Sequence, residues 1–312
     1  MSDKKFAVVF PGQGSQKVGM LAEVAEQYPV VKETFAEASD VLGYDLWQLV
    51  QDGPQEALNL TERTQPMLLA ASVSLWRVWQ QEGGSQPALM GGHSLGEWSA
   101  LVCAGVVAFK DAIKLVQLRG KYMQEAVPAG LGAMAAIIGL DDDAIKAICV
   151  EAEQGEVVMP VNFNSPGQVV IAGAKAAVER AMQGCKDAGA KRALPLPVSA
   201  PFHTSMMKPA ADQLAENIAA VEFSVPKVPV VHNVDAKTCA DPEAIKALMI
   251  EQIYSPVLWV DCVNAMVGQG VEATLECGPG KVLSGLSKRI HKPLSSAAIE
   301  APADLLAAIE QF

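Results

Sequence analysis

At 312 residues, half of them apolar and 19% charged, the chain is long enough for one large domain carrying an insertion, or for two domains. Its net charge of -11 argues against nucleic-acid binding as a main task. No apolar run approaches the ~20 residues of a membrane span, and the start lacks a signal-peptide apolar core, so a cytoplasmic protein with no membrane contact is expected. The six cysteines (Cys103, Cys149, Cys185, Cys239, Cys262 and Cys277) lack C-x-x-C spacing, which indicates neither a zinc site nor a disulfide framework. Lys191-Arg192 and Lys288-Arg289 could form a local patch for an anionic ligand, with solvated surface charge as the plain alternative.

In chain order, Phe6 to Phe10 is an apolar run that reads as a buried strand. It ends in Pro11-Gly12-Gln13-Gly14-Ser15-Gln16, whose glycine spacing fits neither the dinucleotide fingerprint nor a phosphate loop; the loop reads as backbone offered to a ligand. Helical periodicity holds over Val31 to Leu42, Asp45 to Gln51 and Gln65 to Gln81, and Gly83-Gly84-Ser85 then breaks it. The apolar Ala88 to Met90 precedes Gly92-His93-Ser94-Leu95-Gly96, a G-x-S-x-G pattern, and a helix is expected over Glu97 to Val107. Strand, sharp turn with serine, then helix is the context of a nucleophile elbow, where the helix N-terminus favours a developing oxyanion. A simple tight turn is the competing reading.

Phe109 to Ala126 reads as a helix that carries Arg119 among Leu115, Val116, Leu118 and Met123, an apolar setting that weakens the case for a surface ion pair. From Gly132 the pattern changes. Strands over Gly132 to Leu140, Val157 to Phe163, Gln168 to Gly173 and Arg192 to Val198 enclose helices to about Glu153 and over Ala174 to Ala188. The order β-α-β-β-α-β is the ferredoxin-like split unit. Residues 131–198 are therefore expected as a small subdomain inserted into a large α/β domain formed by 1–130 and 199–312.

The return runs through Pro195, Pro197 and Pro201 to His203, then a helix over Ser205 to Val221, a strand over Pro229 to Asn233, and helices over Pro242 to Ile253 and Val257 to Met266. Val271 to Cys277 is a strand, Lys281 to Ile290 a helix, and a short strand and helix close the chain from Ser295. Strands alternating with helices imply a mostly parallel sheet covered on both faces.

A serine hydroxyl needs a base. His93 adjoins Ser94 and should point away from it; His232 lies in an apolar strand and His291 in a basic tail, both read as structural or surface groups. His203 sits in a loop at a helix start, a place for a catalytic group or for a capping or buried imidazole.

Several stretches together, among them Phe10-Pro11-Gly12-Gln13-Gly14-Ser15-Gln16, Gly92-His93-Ser94-Leu95-Gly96-Glu97, Gln117-Leu118-Arg119-Gly120, Asn162-Phe163-Asn164-Ser165-Pro166-Gly167-Gln168, His203 with Met207, and Glu276-Cys277-Gly278-Pro279-Gly280, resemble the malonyl-CoA:acyl carrier protein transacylases. The resemblance runs nearly end to end and implies an α/β-hydrolase-like fold. By it, Ser94 is the nucleophile and His203 its base, oriented by the backbone carbonyl of Gln252. The N–H groups of Gln13 and Leu95 would receive the oxyanion, and Arg119 would hold the malonyl carboxylate, a role that suits a buried bidentate fork. Malonyl-CoA and holo acyl carrier protein would be the partners, coenzyme A thioester being substrate and no cofactor being needed, and the family implies a monomer. Phe202, bulky and next to the base, resembles malonyl-selective relatives and would clash with a 2-methyl branch. A serine thioesterase or esterase, which has no use for Arg119, and a non-catalytic carrier-docking module are the competing functions.

Overall fold

The computed structural model describes residues 4–198 and 200–312. Strand β1 (Phe6–Phe10) is buried along its whole length. Phe6, Val8 and Phe10 enter one apolar cluster, while Ala7 and Val9 enter another with Trp259, Val263 and Met266. Helices cover both faces of this strand, which is why its sequence is a continuous apolar run and does not alternate.

The chain then passes through α1 (Ala22–Gln27), α2 (Pro29–Leu42), α3 (Leu46–Asp52), α4 (Gln55–Leu58) and the long α5 (Thr61–Gln81). Helix α5 begins one turn before the expected Gln65, so Pro66 lies inside it. The missing N–H of Pro66 removes one helical bond, and the burial of most of this helix outweighs that loss. Strand β2 (Leu89–Gly92) pairs parallel with β1, and α6 (Leu95–Cys103) and α7 (Phe109–Glu125) follow. Helix α6 starts at Leu95 and stops at Cys103, short of the expected Val107, because Gly105 turns the chain with φ 77°.

The smaller sheet holds β3 (Gly132–Ile138), β4 (Val158–Ser165), β5 (Gln168–Ala174) and β6 (Arg192–Pro195), with α8 (Asp142–Glu153) and α9 (Lys175–Asp187) packed on it. The strand order β4-β5-β3-β6, all antiparallel, is ferredoxin-like. Ile137, Ile145, Val169, Ile171 and Val178 give it a core of its own. Strand β6 ends at Pro195 and does not run on to Val198; Pro195 and Pro197 offer no N–H to a ladder, and β6 is accordingly an edge.

The chain returns through a 3-10 turn, Ser205–Met207, which leads into α10 (Lys208–Ala219), where one continuous helix was expected. Next come β7 (Val230–Val231), α11 (Pro242–Glu251), α12 (Trp259–Gly268), β8 (Ala273–Cys277), α13 (Val282–Ile290), β9 (Ser295–Ile299) and α14 (Pro302–Gln311). Helix α12 starts two residues later than expected because the backbone of Val257 is engaged elsewhere: its N–H donates to Val161 at 2.7 Å and its carbonyl accepts from Phe163 at 3.0 Å. Those bonds tie β4 of the small sheet to the loop that leads into α12.

The main sheet is parallel with order β7-β2-β1-β8-β9. From β1 the chain builds outward to β2 and β7 on one side, then returns to β8 and β9 on the other. Ligands of such sheets bind beyond the carboxyl ends of the strands where the order reverses. Those ends, of β1 and β2, carry the glycine loop and the Ser94 turn. The core is α/β-hydrolase-like and carries a ferredoxin-like subdomain.

Candidate active site

Backbone packing builds the turn. A Cβ on Gly92 would strike the backbone of Gly96, and one on Gly96 would strike the carbonyl of Phe10 at the end of β1. A Cβ on Gly12 would stand 2.5 Å from the carbonyl oxygen of His93. The first loop, the turn and α6 therefore touch main chain to main chain, which no other residue type permits. Ser94 sits between them at φ 51° and ψ −108°, as the N-cap of α6.

Asn233, just past β7, clamps the turn from both sides. Its Oδ1 accepts from the Ser94 N–H at 2.8 Å and its Nδ2 donates to the Gly92 carbonyl at 2.8 Å. The strained serine is thus fixed by a side chain 139 positions away.

Ser94 Oγ lies 2.8 Å from His203 Nε2, and His203 Nδ1 lies 2.8 Å from the Gln252 carbonyl oxygen. A carbonyl only accepts, so Nδ1 carries the proton and Nε2 presents its lone pair to the hydroxyl. His203 is buried at φ 63°. Burial, and after it the Arg119 charge, pulls its imidazole down to about 3, so the ring is neutral and ready to accept.

Arg119 reaches in from α7 and is only 1% exposed. Its Nη2 donates to Ser94 Oγ at 3.2 Å and to Gln252 Oε1 at 2.9 Å, and its Nη1 donates to Gln65 Oε1 at 2.8 Å. Nε has no partner among the described residues. Burial lowers the guanidinium to about 10, opposed by the charge of Glu97, and it stays cationic at neutral pH. The site therefore joins a serine, a neutral base and a cation not already spent on a carboxylate.

Leu95 is the first residue of α6, so its N–H has no carbonyl within the helix to bond and is open to an oxyanion. Gln13 lies on the loop beside the turn, its side chain donating to Thr61 Oγ1 at 3.4 Å. Phe202 is buried next to His203. His93 turns away from the serine to meet Asn164 Oδ1 at 2.7 Å and the ring of Trp259, and desolvation lowers its imidazole. The basic pairs stay outside: Lys191 and Arg192 are exposed, and Arg289 donates to Gln168 of the small sheet at 2.9 Å.

Residue patterns did not single out Glu97, His232, Asn233 or Gln65 as parts of the site. Glu97 lies within a stretch that carries the resemblance, and that nearness to Ser94 was the available signal. His232 is not a surface group: it is fully buried with Nδ1 2.7 Å from Glu97 Oε1.

The family described as acyl transferase domain matches residues 7–306. The malonyl CoA-acyl carrier protein transacylases of Salmonella typhimurium and Escherichia coli are 64% and 63% identical to the chain, each alignment spanning 98% of it and 99% of the relative. The chain belongs to this transacylase family. A crystal structure of an acyl carrier protein S-malonyltransferase from Vibrio cholerae superposes with a TM-score of 0.96 at 67% identity, covering 97% of this chain and 99% of that one. A malonyl-transacylase solved in complex with its holo type II PKS acyl-carrier protein superposes with a TM-score of 0.98 at 62% identity, covering 99% and 100%. The protein is an acyltransferase.

Proposed function

We propose that the enzyme moves a malonyl group from malonyl-CoA to the phosphopantetheine thiol of holo acyl carrier protein, supplying extender units for fatty acid synthesis, and does so in two half reactions through a malonyl-serine. The observation that carries the reading is the meeting of three groups at one atom: Ser94 Oγ lies 2.8 Å from His203 Nε2 and 3.2 Å from Arg119 Nη2.

In the first half reaction Ser94 Oγ attacks the thioester carbonyl while its proton passes to His203 Nε2. The imidazolium is held by the Gln252 carbonyl on Nδ1, and the oxyanion is received by the N–H groups of Leu95 and Gln13. Collapse breaks the C–S bond and His203 returns the proton to the coenzyme A sulfur. In the second, the carrier thiol gives its proton to His203, its sulfur attacks the serine ester, and Ser94 recovers the proton as it leaves. A thioester replaces a thioester, so the balance needs neither redox chemistry nor a resident cofactor.

Arg119 receives the free carboxylate of the acyl group. A guanidinium surrounded by amide oxygens gains a charged partner only when that carboxylate arrives, which favours malonyl over acetyl. Phe202 adds bulk beside the base and disfavours a 2-methyl branch.

Intact-protein mass after brief incubation with malonyl-CoA, acetyl-CoA or methylmalonyl-CoA tests this. A malonyl adduct is expected on the wild type, absent from Ser94→Ala, and discharged by holo carrier protein. Acetyl labelling as strong as malonyl would remove the role of Arg119. Loss of the adduct to water, unchanged by the carrier, would make the enzyme a hydrolase.

A further inference from the structure

One buried acid has no part in the transfer steps. Glu97, 1% exposed, lies one turn along α6 from Ser94. Its carboxylate accepts from three donors: His232 Nδ1–H at 2.7 Å on Oε1, with Gln252 Nε2–H at 2.7 Å and Asn233 N–H at 3.1 Å on Oε2.

Gln252 stands between this acid and Arg119. A carboxylate only accepts and a guanidinium only donates, so the amide between them has a single orientation: Nε2 toward Glu97 and Oε1 toward Arg119 Nη2, 2.9 Å away. Turned over, it would set NH2 against the guanidinium, donor to donor. The same Nη2 reaches Ser94 Oγ. Glu97, Gln252, Arg119 and Ser94 thus form one hydrogen-bonded chain, and its first three members are buried.

The spacing has a consequence. A carboxylate bound directly to Arg119 would occupy the donors that an acyl carboxylate needs. Placed one amide away, Glu97 supplies the negative charge that offsets the burial of Arg119 and leaves the guanidinium without a charged partner of its own.

We propose that Glu97 is a positioning residue for acyl-group selection: acting through the Gln252 amide, it aims the Arg119 guanidinium at the acyl group on Ser94. The inference rests on the malonyl-serine reading above.

Glu97→Gln and Gln252→Leu test it from the two sides of the amide. In Glu97→Gln the new amide oxygen can serve Gln252 and Asn233, while its NH2 faces His232. His232 can switch tautomer because its Nε2 has no partner among the described residues, so the fold is kept and the charge is lost. Gln252→Leu keeps the backbone carbonyl that orients His203 and cuts the chain to Arg119. The measurement is the ratio of kcat/KM for Ser94 acylation by malonyl-CoA to that by acetyl-CoA, with thermal unfolding as the check on folding. Each variant is expected to lower the ratio about 10-fold, and the double variant no further than the larger single effect. A loss of packing slows both acyl groups alike and leaves the ratio in place. An unchanged ratio in the folded variants, or losses that multiply in the double variant, would overturn the proposal. Wild type run alongside separates the two readings: if it carries no malonyl on Ser94, the parent reading fails; if it does and the ratio does not move, only the role of Glu97 fails.

Discussion

Ser94 and His203 both hold positive φ, 51° and 63°. Such backbones cost on the order of 1–3 kcal/mol each and persist only where the surroundings over-determine them. For Ser94 the restraint is Asn233, and Asn233→Ala would leave the Ser94 N–H and the Gly92 carbonyl without their partners. We expect a loss of about 2 kcal/mol of stability together with slower acylation, read from urea unfolding and burst amplitude. His203 makes a second prediction. Its imidazole is depressed to about 3, so the base stays neutral well below the ordinary histidine range. The kcat/KM for acylation should stay level from about pH 8 to about pH 5, and a half-loss near pH 6.5 would show that the ring is not desolvated in solution. At this scale the sequence was uneven. The apolar helix neighbours of Arg119 spoke against a surface ion pair, and the resemblance supplied its role and the Gln252 carbonyl. Asn233 and Glu97 could not be read as partners, because the contacts that define them span more than a hundred positions.

The elements were legible where local chemistry decides them and not where a distant partner does. The Gly92 and Gly96 spacing announced the turn because the crowding is local to two strands and a helix. The start of α12 was misplaced because the apolar Val257 fits a helix by period, while its backbone bonds go to Val161 and Phe163. The start of α5 was misplaced because a proline fits the first turn of a helix, where the expected start at Gln65 put Pro66, while in fact the buried helix runs one turn farther back and holds Pro66 in its interior. Two glycines set the local argument against a control. Gly92→Ala drives a Cβ into the backbone of Gly96, and we expect a loss of about 3 kcal/mol or more, or no folded protein. Gly285, inside α13, has nothing within 4 Å of its Cβ position, and Gly285→Ala should raise stability by roughly 0.5–1 kcal/mol. Thermal melts of the two variants side by side would check both signs.

Across the whole molecule, single bonds tie the small sheet to the larger domain, one of them beside Ser94. Val257 is bonded to β4, His93 beside the serine is bonded to Asn164 in β4, and Arg289 of α13 to Gln168 in β5. The alternation of strands and helices, and the change of pattern at Gly132, made both sheets readable in advance; the seam between the small sheet and the larger domain was not, since it is made of single bonds without a periodic signal. The same desolvation that prepares His203 for catalysis ties stability to pH. Its folded value, about 3, lies below the ordinary 6.5, and burial lowers His93 as well. Between those limits the unfolded chain binds more protons than the folded one, so stability rises with pH through this window and is lost as pH falls below about 6.5. One such group contributes a slope of ~1.4 kcal/mol per pH unit while its unfolded form is protonated and its folded form is not. Urea unfolding of wild type and His203→Ala at several pH values between about 6 and 4.5 isolates that share from the carboxylates, which titrate in both proteins. The variant should lose stability less steeply, by close to one proton's slope. Parallel curves would mean that His203 titrates near its ordinary value in the folded enzyme, which would then present a neutral base to Ser94 only above about pH 6.5.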